Sequence, residues 1–292
     1  MALVAYYDLK LNPPTFSFLD FLLAAEVERI ELKEDELDVK ILLGPEEGFR
    51  KDDRPPFGAN ERFRWLRNIA MPMPLLLKSC RKAAEIVNRV YATNEPEFGR
   101  DTYTAPFNLA MEAAKKDIFP FEADEGLTES FKEIYGQYIT ITLCERSWRH
   151  TRRSDINEWI KVSEEIESTS AFKVVFIRDV GEDDKGQLRN FHTDHLSARH
   201  LTARAALYSG AVSNIGVAGG PLWFCLFLGV PAILFHLIHE HRAQTPRAWT
   251  SYGLEPYSQF PNARPGQILV WKKDNADIIL DSLKRAGVLH RG

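Results

Sequence analysis

The chain has 292 residues, 45% of them hydrophobic and 27% charged, which is the composition of a globular protein with enough apolar material for one large or two modest domains. Its formal net charge of −4 excludes the basic surplus expected of a general nucleic-acid binder, and its three cysteines, Cys80, Cys144 and Cys225, are too few and too scattered for a disulfide framework. They read as reduced thiols in a cytoplasmic protein, an expectation that fits an N-terminus (MALVAYYDLK) without a basic segment leading into an apolar core. Ala2–Tyr7 predicts a buried strand ending at Asp8. Asn12-Pro13-Pro14 breaks it, and Phe18–Ile30 predicts an amphipathic helix. Leu37–Leu43 predicts a second strand closed by Gly44-Pro45. Helical material follows over Glu61–Ile69 and, beyond Pro72 and Pro74, over Leu75–Val90, whereas residues 92–128 are irregular.

From Tyr138 strands and helices alternate. Tyr138–Leu143 (YITITL) and Phe172–Ile177 (FKVVFI) predict strands, and Asp155–Glu167 and Ser197–Ser209 predict helices. Gln267–Trp271 predicts a late strand and Asn275–Ala286 a closing helix. Such alternation implies a parallel sheet covered on both faces. The division of the chain is expected near residue 130, with residues 1–130 and 131–292 as separate α/β domains.

Val212–Phe235 (VSNIGVAGGPLWFCLFLGVPAILF) carries no charge and is long enough to suggest a membrane span. Its punctuation argues for strand, glycine turn, helix and strand instead. Ala218-Gly219-Gly220 suits a tight turn with positive φ, Pro221 an opening helical position, Gly229 a helix end and Pro231–Phe235 a second buried strand.

In an open parallel sheet, ligands bind beyond the carboxyl ends of the strands. After YITITL comes Cys144-Glu145-Arg146-Ser147-Trp148-Arg149-His150-Thr151-Arg152-Arg153, a basic loop before a capped helix. Guanidinium groups and helix N–H groups both suit a phosphate, with Arg146 and Arg149 as candidate ligands; the alternative is a solvated basic loop. Gly219, Gly220 and Pro221 would let backbone N–H groups approach the same ligand, or would serve only as a packing turn. Asp8 is a candidate general base, with a capping carboxylate as the alternative, and Asn12, Asp179 and His236 are candidate further contacts. The histidines (His192, His195, His200, His236, His239, His241) lack familiar zinc spacing, so no metal site is expected. Walker A, G-x-S-x-G and G-x-G-x-x-G patterns are missing from the sequence.

The stretch RAALYSGAVSNIGVAGGPLWFCLFLGVPAILF resembles the donor-binding core of GT-B glycosyltransferases, in particular the heptosyltransferase-like and fucosyltransferase-like groups. The matching positions are Gly219, Gly220, Pro221, Gly229 and Pro231, and YITITLCERSW resembles the first strand of the C-terminal domain of such enzymes. The resemblance covers residues 138–286. It implies two Rossmann-like domains facing a cleft, the N-terminal one small and irregular. The implied reaction moves a sugar from a nucleotide-diphosphate sugar to a glycan, lipid-linked or other hydroxyl acceptor, with no resident metal or cofactor. The C-terminal half has no E-x7-E pattern of retaining members, which favours inversion. A sugar-nucleotide epimerase, a non-catalytic carbohydrate-binding or assembly protein on the same fold, and peripheral membrane association are the rival expectations.

Overall fold

A computed structural model describes residues 2–51, 58–87, 96–100, 108–145, 153–178, 186–236, 238 and 245–290. The chain divides into two compact units, Met1–Glu122 and Ala123–Gly292.

The first unit holds a four-stranded parallel sheet in the order β3-β2-β1-β4, formed by β1 (Ala2–Asp8), β2 (Glu36–Leu42), β3 (Glu85–Val87) and β4 (Glu97–Phe98). Strand β1 is buried from Leu3 to Asp8, as expected of a strand covered on both faces. Helix α1 (Ser17–Leu32) ends where Lys33 turns left-handed (φ 58°) and its N–H returns to the carbonyls of Arg29 and Ile30. Inside the same helix, buried Glu26 takes a two-pronged ion pair from Arg29 (2.8 and 2.7 Å) and a hydrogen bond from Ser79 Oγ (2.7 Å).

The helix expected over Leu75–Val90 does not form. After α2 (Ala59–Trp65) and a π-helical turn (Leu66–Ala70), only a short 3-10 turn, Met73–Leu76, precedes strand β3. Long-range partners take the backbone groups a helix would need. Leu76 O accepts from Glu122 N, Leu77 bridges Phe121, Ser79 O accepts from Leu37 N, and Ala84 N donates to Met71 O. The irregular stretch also contains β4 and helix α3 (Asn108–Lys115).

The second unit begins at Ala123. Asp124 caps helix α4 (Glu125–Tyr135) by accepting from Leu127 N (2.7 Å), and α4 packs on α7 (Leu201–Gly210) of the second unit. The six-stranded parallel sheet has the order β10-β9-β8-β5-β6-β7. Its strands are β5 (Tyr138–Thr142), β6 (Lys173–Ile177), β7 (His192–Thr193), β8 (Ser213–Val217), β9 (Ala232–Phe235) and β10 (Gln267–Val270). Helices α5 (Ile156–Thr169), α8 (Gly220–Phe227), α9 (Pro246–Ser251) and α10 (Ala276–Arg285) supply further connections. The core joins Ile139, Ile141, Ile215 and Ile233 of the strands to Trp159, Ile166, Ile279 and Leu283 of α5 and α10.

The helix expected over Ser197–Ser209 is two helices, α6 (His195–Arg199) and α7, broken at His200 (φ −124°, ψ 119°). The buried Arg204 guanidinium accounts for the break: Nε donates to Ser197 O (2.7 Å) and Nη2 to Ala198 O (3.1 Å), satisfying carbonyls that a continuous helix would have bonded itself. Strand–helix–strand is the structure of the charge-free run, and among the described residues no helix is long and apolar enough to cross a membrane.

Candidate functional site

The order of the second sheet reverses between β5 and β8. From β5 the chain winds outward through β6 and β7; it then returns to β8 on the other side and continues through β9 and β10. At such a switch point the neighbouring strands send their connections to opposite sides, which opens a crevice at their carboxyl ends. The backbone records that parting. Beyond the last paired residues, Thr142 and Gly216, Leu143 N bonds to Ile177 O on β6 (3.0 Å) while Ala218 N bonds to Phe235 O on β9 (2.8 Å).

Both sequence candidates for anion binding leave from this point. On the β8 side, Gly219 is the N-cap of α8, with Gly220 and Pro221 in the first turn, all three partly exposed. The positive-φ turn expected here is absent: Gly219 is extended (φ −155°, ψ 173°), and neither glycine has positive φ. The reason is that β8 runs directly into the helix. The Leu222 and Trp223 N–H groups both return to Gly219 O (3.0 Å each), and Pro221 has none. By position, Gly219 and Gly220 therefore supply the donors at the positive end of the α8 dipole.

On the β5 side, residues 146–152 lie outside the described residues, and with them Arg146 and Arg149; Asp179 does as well. The neck of their loop is described. Cys144 N donates to Ser154 Oγ (2.9 Å) and Ser154 N to Cys144 O (2.8 Å), so a two-bond clasp brings the ends of the basic segment together. Asp155 then caps α5 through Asn157 N (3.2 Å). The clasp is reinforced by a pair the sequence reading passed over. Arg178, directly after β6, grips Glu145, just beyond β5, through Nε (2.9 Å) and Nη2 (2.5 Å), with side-chain exposures of 5% and 10%. Opposite charges immediately following two buried strands were the signal; that β5 and β6 are neighbours was not legible.

The far side of α5 is held by Asp274, whose buried carboxylate accepts from Trp159 Nε1 (2.8 Å). Burial pushes this carboxyl above its ordinary value, against the indole hydrogen bond that favours the charge. The folded state therefore holds the proton more tightly than the unfolded chain, so this group's contribution to stability is complete at low pH. It declines as pH rises above about 4 and through the raised folded value. Thermal melts across this range are expected to fall less steeply for Asp274→Asn than for the parent, and parallel curves would contradict the assignment.

His236, immediately after β9, is buried, and its Nε2 accepts the Trp249 Nε1 hydrogen (3.0 Å), which defines a neutral ring in this geometry. It supports an aromatic group comprising Trp249, Trp271, Trp223, Tyr252 and Phe260.

In the first unit, Asp8 and Asn12 come together, but as parts of one turn. Asp8 is fully buried; its Oδ1 accepts from Lys10 N (2.9 Å) and its carbonyl from Leu11 N, Asn12 N and Asn12 Nδ2 (3.1, 2.9 and 3.1 Å). Tyr7 OH closes the turn onto Pro13 O (2.6 Å). The Asp8 side chain is buried and takes part in its own turn. Among the described residues, no group of three His, Cys, Asp or Glu is arranged to hold a metal.

No known family model matches the sequence, and no curated protein matches it. Solved structures do. An ADP-heptose lipopolysaccharide heptosyltransferase II from E. coli superposes with a TM-score of 0.53, covering 99% of this chain and 99% of that one at 7% identity. A glycosyltransferase of family 9 from Veillonella parvula DSM 2008 gives 0.51, covering 98% and 97% at 10% identity. The chain has the GT-B fold. The GT-B likeness extends over the whole chain, beyond the residues 138–286 that carry it in the sequence, and therefore includes the N-terminal half with its four strands.

Proposed function

We propose that this GT-B protein is a glycosyltransferase that moves a sugar from a nucleoside-diphosphate sugar to a hydroxyl acceptor, with inversion and without a resident metal. The observation that carries this reading is the parting of β5 and β8, which places the clasped neck of an arginine-rich loop on one side and the open N-terminus of α8 on the other. Its neighbours in fold are a heptosyltransferase named for ADP-heptose and a family 9 glycosyltransferase, which supports the same class of donor.

As the anomeric C–O bond breaks, the departing diphosphate gains negative charge. The Gly219 and Gly220 N–H groups and the α8 dipole would meet that charge from one side, and Arg146 and Arg149 from the other. Fixed donors of this kind act where charge develops, and losing one typically costs about 10²–10³ in turnover. The enclosed Asp8 turn makes Asp8 a weaker candidate for the base than its position in the sequence suggests, and the acceptor is assigned only as a hydroxyl compound.

A thermal-shift screen against nucleoside diphosphates and sugar nucleotides tests the donor class. At about a hundredfold excess over Kd, a true ligand adds about 2.7 kcal/mol of apparent stability. A flat response to every nucleoside diphosphate would remove the donor assignment.

A further inference from the structure

His236 is tied to the start of α8 by two routes. Through the main chain, Phe235 O, one residue before it, accepts from Ala218 N (2.8 Å), one residue before Gly219. Through side chains, His236 Nε2 accepts from Trp249 Nε1 (3.0 Å), and the Trp249 ring lies against Trp223 of α8, with centroids 5.8 Å apart and a tilt of 35°. Trp223 N bonds in turn to Gly219 O (3.0 Å), so this line of contacts ends at the N-cap of the helix. His236, Trp249 and Trp223 are all buried, and the His236 N–H is anchored on Val270 O (2.8 Å) at the end of β10.

The side-chain route works only in one charge state. An indole N–H donates and never accepts, so Nε2 takes this hydrogen bond only while it is unprotonated. A second proton on the ring would set donor against donor, and the indole or the imidazole would have to turn away. An imidazole in an unfolded chain takes up that proton near pH 6.5, so mild acid is enough to put the bond at risk. The surroundings do not invite the charge. The ring meets uncharged Trp249 of α9 (4.7 Å) and Trp271 beyond β10 (5.6 Å), and α8 carries no charged residue. Arg247 on α9 and Lys272 and Lys273 beyond β10 are basic and exposed, and Glu255, after α9, is exposed as well. The buried Asp274 accepts from Trp159 Nε1. We infer that neutral His236 is a positioning residue for the start of α8, and that its protonation releases Trp249 and weakens diphosphate binding there. The link to a diphosphate rests on the donor reading above; the switch between His236 and Trp249 does not. By linkage, a ligand held at the start of α8 favours the neutral ring by the same factor.

Heteronuclear NMR of the ligand-free protein tests the switch. The Trp249 indole N–H resonance, assigned by its loss in Trp249→Phe, should move in the parent as pH is lowered from about 8 to about 5, across the range where imidazole titrates. It should stay in place in His236→Gln, whose side-chain carbonyl accepts the same bond but does not titrate. Titration of inorganic pyrophosphate and of ADP, GDP, UDP and CDP into both proteins tests the coupling; the ionisation of each ligand is common to the two and cancels. Between about pH 7.5 and about pH 5.5, affinity should fall roughly two- to tenfold further in the parent than in His236→Gln, the range of one lost hydrogen bond. Saturating ligand should also move the pH midpoint of the Trp249 resonance downward in the parent. A Trp249 resonance that does not move with pH in the parent, or that moves equally in His236→Gln, overturns the switch. Equal pH dependence of binding in the two proteins overturns the positioning role while the donor reading stands. Failure of the parent to bind any of these ligands near neutral pH overturns the donor reading and the coupling together.

Discussion

Glu145→Ala is expected to lower the melting temperature of the second unit by roughly 6–20 °C. Breaking a buried ion pair by removing one partner is strongly destabilising, at a cost of about 3–5 kcal/mol. In a unit of this size each kcal/mol shifts the midpoint by roughly 2–4 °C. The pair qualifies as buried because Arg178 and Glu145 are 5% and 10% exposed and meet through two hydrogen bonds, whereas an exposed pair such as Lys132–Glu129 would contribute little. Replacing both partners with apolar side chains of similar volume, as in Glu145→Leu with Arg178→Met, should recover part of the loss, since neither charge then has to be desolvated. A single-variant shift below about 2 °C in calorimetry would mean that the pair is solvated and does not anchor the neck of the basic loop.

Gly216→Ala is the second large effect. Gly216 is the last residue of β8 paired with β5, and a Cβ there would lie well inside contact distance of the Thr142 carbonyl oxygen, with Leu222 also close. Strand backbones cannot give way as the end of a flexible side chain can, so β5 and β8 would have to separate at the mouth of the crevice. Overpacking of this kind costs about 1–3 kcal/mol and occasionally more. Just behind this point, a buried polar network fixes the same two strands and α7. Thr140 Oγ1 donates to Asn214 Oδ1 (2.6 Å), Asn214 Nδ2 reaches the carbonyls of Tyr208 and Pro231 (3.0 Å each), and Thr142 Oγ1 meets Tyr208 OH (2.9 Å). The strain therefore cannot be relieved by sliding the register, and the midpoint should fall by roughly 2–12 °C. A parent-like melt would show that the strands have already parted at Thr142.

The second unit was legible in the sequence because most of its strands are buried β-branched or apolar runs and helices such as α5 and α10 begin at side-chain caps. Asp155 and Asn275 accept from the first turns of α5 and α10 within a few residues of where patterning put those helices. The charge-free run was legible for a related reason: Gly229, with φ 72°, ends α8 in the left-handed conformation its identity allows. What failed to read were features created by tertiary partners. Strand β3 forms because β2 offers an edge at Lys40–Leu42, and Leu75–Leu77 does not become helix because Phe121 and Glu122 occupy its backbone. The break at His200 depends on a side chain four residues later. Three-residue and two-residue strands such as β3, β4 and β7 are too short to carry a periodic signal of their own.

The site divides along the same line. Strand ends followed by glycines or arginines are local and could be read, including Gly219–Pro221. Asp8 was correctly placed at a strand end, whereas the bonds it accepts from the N–H groups of its own turn were not legible there. Glu145–Arg178 and the aromatic group around Trp271 required the order of strands in the sheet, which no single segment encodes.

The central claim is that a nucleoside diphosphate is held where β5 and β8 part, between the basic loop and the start of α8. Calorimetric titration of the diphosphate selected by the thermal-shift screen into the parent and into the Arg146→Ala, Arg149→Ala double variant tests it most directly. Charge-assisted hydrogen bonds contribute about 1.5–3 kcal/mol each, so binding should weaken at least tenfold while the melting temperature without ligand stays within about 2 °C of the parent. Equal affinity in the two proteins would contradict the account.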